Sequence, residues 1–249
     1  MSFHLKYKPF GTSAILIEWP AKIDLQIIQD ITSFEKLVAQ QQLVVETIIA
    51  YHSLMICYDD RSVLTSEKKP LVNFEREIQK LKKLYTKNRK NYALTKRRVW
   101  QIPVCYDLKF GIDLKEIAKS KKISTTTLVD LHSDARYYIY FIGFQPGFLY
   151  LGGLDSRIHM PRRSNPRLHV EKGSVAIGGA QTGIYPQDSP GGWNIIGKSP
   201  VDFFDIVKSK PCFAKAGEFV RFVPVELEIF FEISQEIKQG KYQVKFDWQ

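Results

Sequence analysis

GFQPGFLYLGGLDSRIHMPRRSNPRLHVEKGSVAIGGAQTGIYPQDSPGGWNIIGKSP, residues 143–200, holds 11 of the chain's 15 glycines and 6 of its 12 prolines, and this concentration decides how the C-terminal half is read. Glycine tolerates positive φ and the close approach of a strand or ligand, while proline fixes φ and removes a donor, so these turns are tightly specified. Between and around the turns lie short β-rich runs, RYYIYFIGF, GSVAIGG, GWNIIGK, EFVRFVPV and LEIFFEIS. Such a series predicts a closed or nearly closed β-barrel. Ahead of it, Asp113 is placed to cap a brief helix, LKEIAKS, and Ser124 a second, TTTLVDLHS.

The N-terminal half has another grammar. TSAILIEW reads as a strand, and Asp24 caps a helix whose apolar stripe is Leu25, Ile28, Ile31, Leu37 and Val38. VVETIIAY and SLMICYD are separated only by His52, too short for a crossover, which predicts an antiparallel hairpin or a bulged continuation. Pro70 then opens an amphipathic helix carrying Leu71, Phe74, Ile78, Leu81 and Tyr85. With VWQIPVCY at 99–106 as the next strand, the order is β-α-β-β-α-β, the split βαβ or ferredoxin-like arrangement. The expected class is α+β, with a ferredoxin-like domain over 1–98 and a barrel domain over 99–249.

Composition narrows the classes. With 44% hydrophobic and 25% charged residues in 249, the chain is globular and not disordered. Cys57, Cys105 and Cys212 are odd in number and lack a CxxC, which points away from a disulfide framework or zinc site and toward a reducing cytoplasm. The N-terminus lacks the apolar stretch of a signal peptide, and no run reaches the roughly 18 apolar residues of a membrane span, so a soluble, unexported protein is expected. The net charge of +10 is concentrated in residues 67–98, with 12 Lys and Arg against 3 Glu. Placed on the back of an amphipathic helix, these form a solvated basic face, an acidic-partner surface or a nonspecific polyanion patch; no nucleic-acid motif accompanies them.

The chemistry-bearing motifs fall mostly in the glycine-rich stretch. GWNIIGKS, 192–199, matches G-x-x-x-x-G-K-[ST], but its bulky β-forming interior and following Pro200 deny it the strand-loop-helix context of a phosphate loop. Trp193 and Ile195 instead occupy one face of a strand, Asn194 and Ile196 the other. PRRSNPR sets Arg162, Arg163 and Arg167 between prolines, suited to ion pairs or to a planar anion. GGAQTGIYP offers Gln181, Thr182 and Tyr185 among Gly178, Gly179 and Gly183, and it reads either as an amide-binding corner or as a plain hairpin turn. His132 ends a short helix, where it is either a general base or a favourable helix C-terminal residue. The histidines 4, 52, 132, 159 and 169 form no HxH or HExxH pattern, so no metal site is expected.

IPVCYDLKFGIDLKEIA, LHSDARYYIYFIGFQPGFLYLGGL, MPRRSNPR and KGSVAIGGAQTGIYPQDSPGGWNIIGKSP together resemble the family of 5-oxoprolinase B subunits, also described as Kip-type sporulation kinase inhibitors and related to the carboxyltransferase-type domain of urea amidolyases. The resemblance covers nearly the whole chain. It implies an N-terminal α/β part and a C-terminal cyclophilin-like barrel, pairing with a homologous C component, and joint action with an A component to open 5-oxo-L-proline to L-glutamate at the expense of ATP. It also implies site residues: Arg162, Arg163, Arg167, Thr182, Gly147, Gly179 and Gly183 toward substrate, and His132, Gln181 and Tyr185 toward catalysis. The alternative function within the same family is a regulatory protein that inhibits a sensor histidine kinase. The chain departs from the family pattern at His52 (usually arginine), Asp107 (glycine), Lys198 (arginine) and Glu218 (aspartate), and the Lys198 change alone creates the phosphate-loop lookalike.

Overall fold

The structure, a computed structural model, describes residues 3–41, 43–58, 73–87 and 96–249. Its packing falls into two units, Met1–Thr95 and Lys96–Gln249, and the fold is mixed α/β. In the first unit β1 (Lys6–Phe10), β2 (Ala14–Glu18), β3 (Val44–Ile49) and β4 (Ser53–Tyr58) form an antiparallel sheet in the order β1-β2-β4-β3. The expected β3–β4 hairpin is present. The Asp24 carboxylate accepts from the N–H groups of Gln26 and Ile27 at 2.8 and 3.3 Å and so starts α1 (Leu25–Val38). Ile27, Ile28, Ile31, Phe34 and Val38 of α1 are buried. The basic helix α2 (Phe74–Lys87) starts one turn later than Pro70, at Asn73, whose side chain accepts from the Arg76 N–H at 3.0 Å. Pro70 and Leu71, with part of the basic segment, lie outside the described residues. Tyr85 of α2 and Trp19 both donate to Asp30, at 2.6 and 2.7 Å.

Two strand expectations are corrected. The strand predicted at 99–106, β5 (Arg98–Val104), does not complete the first sheet; β1 holds that edge instead. The reason lies in burial. Five of the seven β5 residues are buried on one side or the other, as suits a strand paired on both flanks within a large sheet. β1 is a short, exposed, lysine-bearing edge, KYKPF, whose Leu5/Tyr7 alternation is too brief to announce it. The second correction concerns LEIFFEIS, which opens helix α5 (Leu227–Lys238). Its isoleucines and phenylalanines favour strands, but Leu227, Phe230, Ile233 and Ile237 recur every three or four residues, and that period prevails over propensity.

The second unit is built on β5, β6 (Tyr137–Ile142), β7 (Leu149–Gly152), β9 (Ser174–Gly178), β10 (Gln181–Ile184), β12 (Asn194–Lys198), β13 (Phe219–Pro224) and β14 (Phe246–Trp248). They form one sheet ordered β12-β9-β10-β7-β6-β13-β5-β14. β8 (Arg167–Val170) and β11 (Ser189–Gly191) make a separate ribbon. No continuous ladder closes this sheet into a barrel. β14 occupies the flank of β5 that closure would need, so β5 and β12 meet only beyond Val104, where Cys105 and Lys198 exchange two backbone bonds of 2.8 and 2.9 Å. The core inside the curl includes Trp100, Ile102, Tyr137, Ile139, Leu149, Ile177, Ile196 and Phe222. Helices α3 (Leu114–Lys121) and α4 (Thr125–Ser133) pack against it through Leu114, Ile117 and Leu128. Ser124 caps α4 as expected, accepting from the Thr127 N–H at 2.9 Å. Among the described residues no helix is long and apolar enough to cross a membrane.

Candidate functional site

Asp113 organises the site, and it does so by not capping its helix. Its side chain makes no capping bond to α3. It turns instead to the PRRSNPR loop, where Arg167 binds it through two nitrogens at 2.9 and 2.6 Å and Arg163 through a third at 3.1 Å. The Ile195 N–H adds a fourth bond, at 2.7 Å. Asp113 is 3% exposed, so it is a buried charge met by two guanidinium groups. Removing one member of such a cluster strands the others, at a cost of about 2–4 kcal/mol for partners that keep some solvent contact. The loop is pinned further by Asn194, whose side-chain amide donates to the Pro161 carbonyl at 2.8 Å, and by the Arg163 N–H, which donates to the Gly192 carbonyl at 2.7 Å. Two of the three arginines expected to meet an anion are thus held by the protein's own carboxylate.

Arg162 lies between these anchors and is the exception. It forms no ion pair among the described residues; Asp155, an alternative partner, is taken by Arg157 at 2.7 Å. The Arg162 guanidinium lies over the Trp193 ring, 5.8 Å from its centroid. Both belong to a cleft of about 200 Å³ walled by Phe144, Phe148, Tyr150, Tyr185 and Trp193, with Arg163, Pro166, Gly191 and Gly192 completing it. The walls are mutually braced: Phe148 meets Tyr150, Tyr185 and Trp193 edge to face with centroids 5.0, 6.0 and 5.7 Å apart. Burial raises the Tyr185 hydroxyl above its ordinary pKa, partly offset by the Trp193 N–H and the charges of Arg162 and Arg167. Tyr150 is raised by burial in the same way and pulled back by Arg162. At pH 7 both phenols are therefore protonated donors beside a cation, in a pocket with mainly aromatic walls.

The strand reading of 192–199 holds. Trp193 and Ile195 belong to the cluster under this cleft, Ile196 to the main core on the opposite face of β12. The phosphate-loop pattern is therefore a strand and its flanks: Ser199 is buried, and Lys198 is paired with Glu171. These residues do not fit a nucleotide triphosphate, because no helix N-terminus follows to supply converging N–H groups.

The remaining expected residues are dispersed. Thr182 and His132 are both fully buried in the core, away from the cleft lining. The Thr182 hydroxyl donates to the Ala176 carbonyl at 3.0 Å, so toward His132 Nε2, at 2.8 Å, it must accept. His132 consequently carries its proton on Nε2, and its Nδ1 accepts from the Tyr106 hydroxyl at 2.7 Å. Its ring also stacks on Phe222 at 4.6 Å. Desolvation lowers its pKa from 6.5 to about 3. A neutral imidazole with both nitrogens engaged in the core is a packing and hydrogen-bonding element, and this geometry does not support the base role expected of His132. Gln181 and Gly179 lie at the β9–β10 corner, Gly179 bridging to Met160. Gly183 lies beneath the cleft floor, where a Cβ would come within 3.1 Å of Phe148 and 3.2 Å of Trp193. Gly147 terminates the Phe144 turn at φ +83°. Sequence reasoning missed Asp113 as a clamp and the aromatic walls Phe144, Phe148 and Tyr150. Phe144 alone carries a structural flag: it is a non-glycine residue at φ +67° and 67% exposed, a strain of about 1–3 kcal/mol that clusters at functional sites.

The mixed α/β fold and the family model that the chain matches together define the class. Residues 5–214 match the family described as Carboxyltransferase domain, subdomain C and D. The chain is 33% identical over 239 residues to the 5-oxoprolinase B subunit of Bacillus subtilis (strain 168), covering 95% of this chain and 99% of that one. The solved structure of TTHA0988 superposes with a TM-score of 0.70 at 30% identity over 86% of this chain, which spans only 40% of that longer protein. The urea carboxylase of Kluyveromyces lactis shares the fold, with a TM-score of 0.81 at 20% identity, over 100% of this chain and 24% of that one. The chain belongs to the carboxyltransferase subdomain C and D family, within its branch of 5-oxoprolinase B subunits.

Proposed function

We propose that this chain is the B subunit of an ATP-dependent 5-oxoprolinase and opens 5-oxo-L-proline to L-glutamate together with the A and C components of the same complex, in the cytoplasm. One observation carries the reading: the Asp113 clamp consumes Arg163 and Arg167 and leaves Arg162 facing a cleft sized for one small planar molecule. A five-membered lactam bearing one carboxylate fits those demands, its ring against Trp193 and Phe148 and its carboxylate on the Arg162 fork. The lactam is a poor electrophile. ATP, held by the complex, would supply a phosphoryl group to the amide oxygen with release of ADP, after which water would add to the ring carbon, the C–N bond would break to free the amine and leave an acyl phosphate, and a second water would release phosphate and the γ-carboxylate. Within this chain, Arg162 would orient the substrate, and the protonated Tyr185 and Tyr150 would donate toward charge developing on oxygen. In the same reading the Met1–Thr95 unit is a ferredoxin-like module whose edge strand comes from the N-terminus, and the Lys96–Gln249 unit is a cyclophilin-like half that leaves its cleft for the homologous C component to cover.

The test is coupled activity of the three components together. ATP hydrolysis should depend on 5-oxoproline, and Arg162→Gln should raise KM for 5-oxoproline by about tenfold or more while leaving the melting temperature of the chain unchanged. ATP hydrolysis indifferent to the lactam, or a KM indifferent to Arg162, would overturn the assignment.

A further inference from the structure

A second group of arginines without ion pairs among the described residues lies where β6 begins and on β13, two strands that take no part in the cleft. β13 runs antiparallel to β6, and the ladder ends with Val220 opposite Tyr137; Arg221 and Arg136, which immediately precedes β6, are the next residue on each side. Like charges brought side by side at the end of a ladder repel. Neither arginine forms an ion pair among the described residues; Arg136 has only a 3.4 Å bond to the Gln249 side chain. Both line a hollow of about 150 Å³ that also includes Gln101, Asp247 and Trp248 and shares no residue with the aromatic cleft. One Asp247 oxygen accepts from Gln101 at 2.7 Å, leaving the other available. Val99, opposite Asp247 in the register, supplies the apolar part of the lining, while the Trp248 ring turns to the other face of β14, toward Arg98 and Phe246.

We infer that this hollow is a binding site for an α-amino dicarboxylate, with glutamate the best match. Two carboxylates on one short chain neutralise two facing guanidinium groups that the protein leaves uncompensated. The free Asp247 oxygen accepts from the ammonium, and the methylenes lie against Val99. The same donor set discriminates. Glutarate lacks the ammonium and sets its carboxylates against Asp247 with nothing in return, and 5-oxoproline offers one carboxylate and no ammonium. The site therefore selects the ring-opened acid over the lactam. That this makes it a product sensor rests on the proposed ring opening; the binding chemistry does not.

Calorimetric titration of the full chain alone, with L-glutamate, glutarate and 5-oxo-L-proline each to about 10 mM, decides the matter. Glutamate should bind most tightly. Arg136→Gln and Arg221→Gln should each weaken it by about tenfold or more, whereas Arg162→Gln should not. Because both substitutions relieve a repulsion at exposed positions, the melting temperatures of these two variants should not fall below that of the parent, which separates lost binding from lost folding. Absence of glutamate binding, binding unmoved by either substitution, or binding lost instead with Arg162→Gln would overturn the site. Failure of the 5-oxoprolinase reading would appear separately, in the three-component assay, and would leave this titration unaffected.

Discussion

His132 shows how far a residue's chemistry can be set by its neighbours. Tyr106, Thr182 and Phe222 hold it as a neutral Nε2–H tautomer in the core, and desolvation brings its pKa from 6.5 to about 3. The unfolded chain takes up a proton at this histidine once the pH drops below 6.5, while the folded chain resists until about 3. The unfolded state therefore binds more protons in that window, and stability is complete above it and declines as the pH falls through it, by at most about 1.4 kcal/mol per pH unit. Denaturant melts of the parent and of His132→Gln at several pH values should show this slope in the parent and its loss in the variant. An equal slope in both would mean that His132 is not held neutral. The helix-terminal position of His132 was legible in the sequence, but its burial was not, because Tyr106 and Thr182 reach it from segments distant in the chain. Asp113 is the reverse case: its place before a helix was legible, and its commitment to Arg163 and Arg167 came only with the fold.

At the scale of elements, local signals were legible wherever the partner lay nearby. Asp24 and Ser124 cap the helices expected of them, and the β3–β4 hairpin and the two faces of β12 follow from spacing alone. The misreadings are of strands whose identity depends on distant pairing. β5 could be recognised as a strand but not assigned to a sheet, and β1 carries only a brief alternation of Leu5 and Tyr7 with Lys6 and Lys8. The glycines behave in two distinct ways. Gly147 is at φ +83°, and a Cβ there would fall 2.7 Å from the Phe204 Cβ and 2.9 Å from the Phe203 carbonyl oxygen. Gly179 is at φ +66° with nothing within 4 Å. Gly147→Ala thus adds a steric clash to the backbone penalty and should cost about 2–4 kcal/mol, whereas Gly179→Ala should cost only about 1–2 kcal/mol. Urea melts of the two variants measure the difference. Equal losses would show that the turn carrying Phe144 is free to shift, and would weaken its role as a rigid wall of the cleft.

For the whole molecule, the long phrase from 173 to 200 made the family legible, while the division of labour between the units depended on where β5 goes. Its side chains Trp100, Ile102 and Val104 are part of the core that also holds Tyr137, Ile177 and Phe222, and its backbone is bonded to β13 on one side and β14 on the other. The cleft residues and the Asp113 clamp also lie within Lys96–Gln249. A fragment beginning at residue 96 retains every strand of the eight-stranded sheet; one beginning at 107 loses β5 from between two neighbours and exposes both of their flanks. Burying Trp100, Ile102 and Val104 stabilises the sheet by about 1.5–3 kcal/mol for each large side chain, which together is comparable to the whole stability of a domain this size. The 96–249 fragment should therefore melt cooperatively and keep near-ultraviolet circular dichroism from its packed tyrosines and tryptophans. The 107–249 fragment should show neither. If both fragments folded alike, β5 would be an accessory strand of the C-terminal unit, and the place given to it in the split βαβ reading of the N-terminal half would have to be reopened.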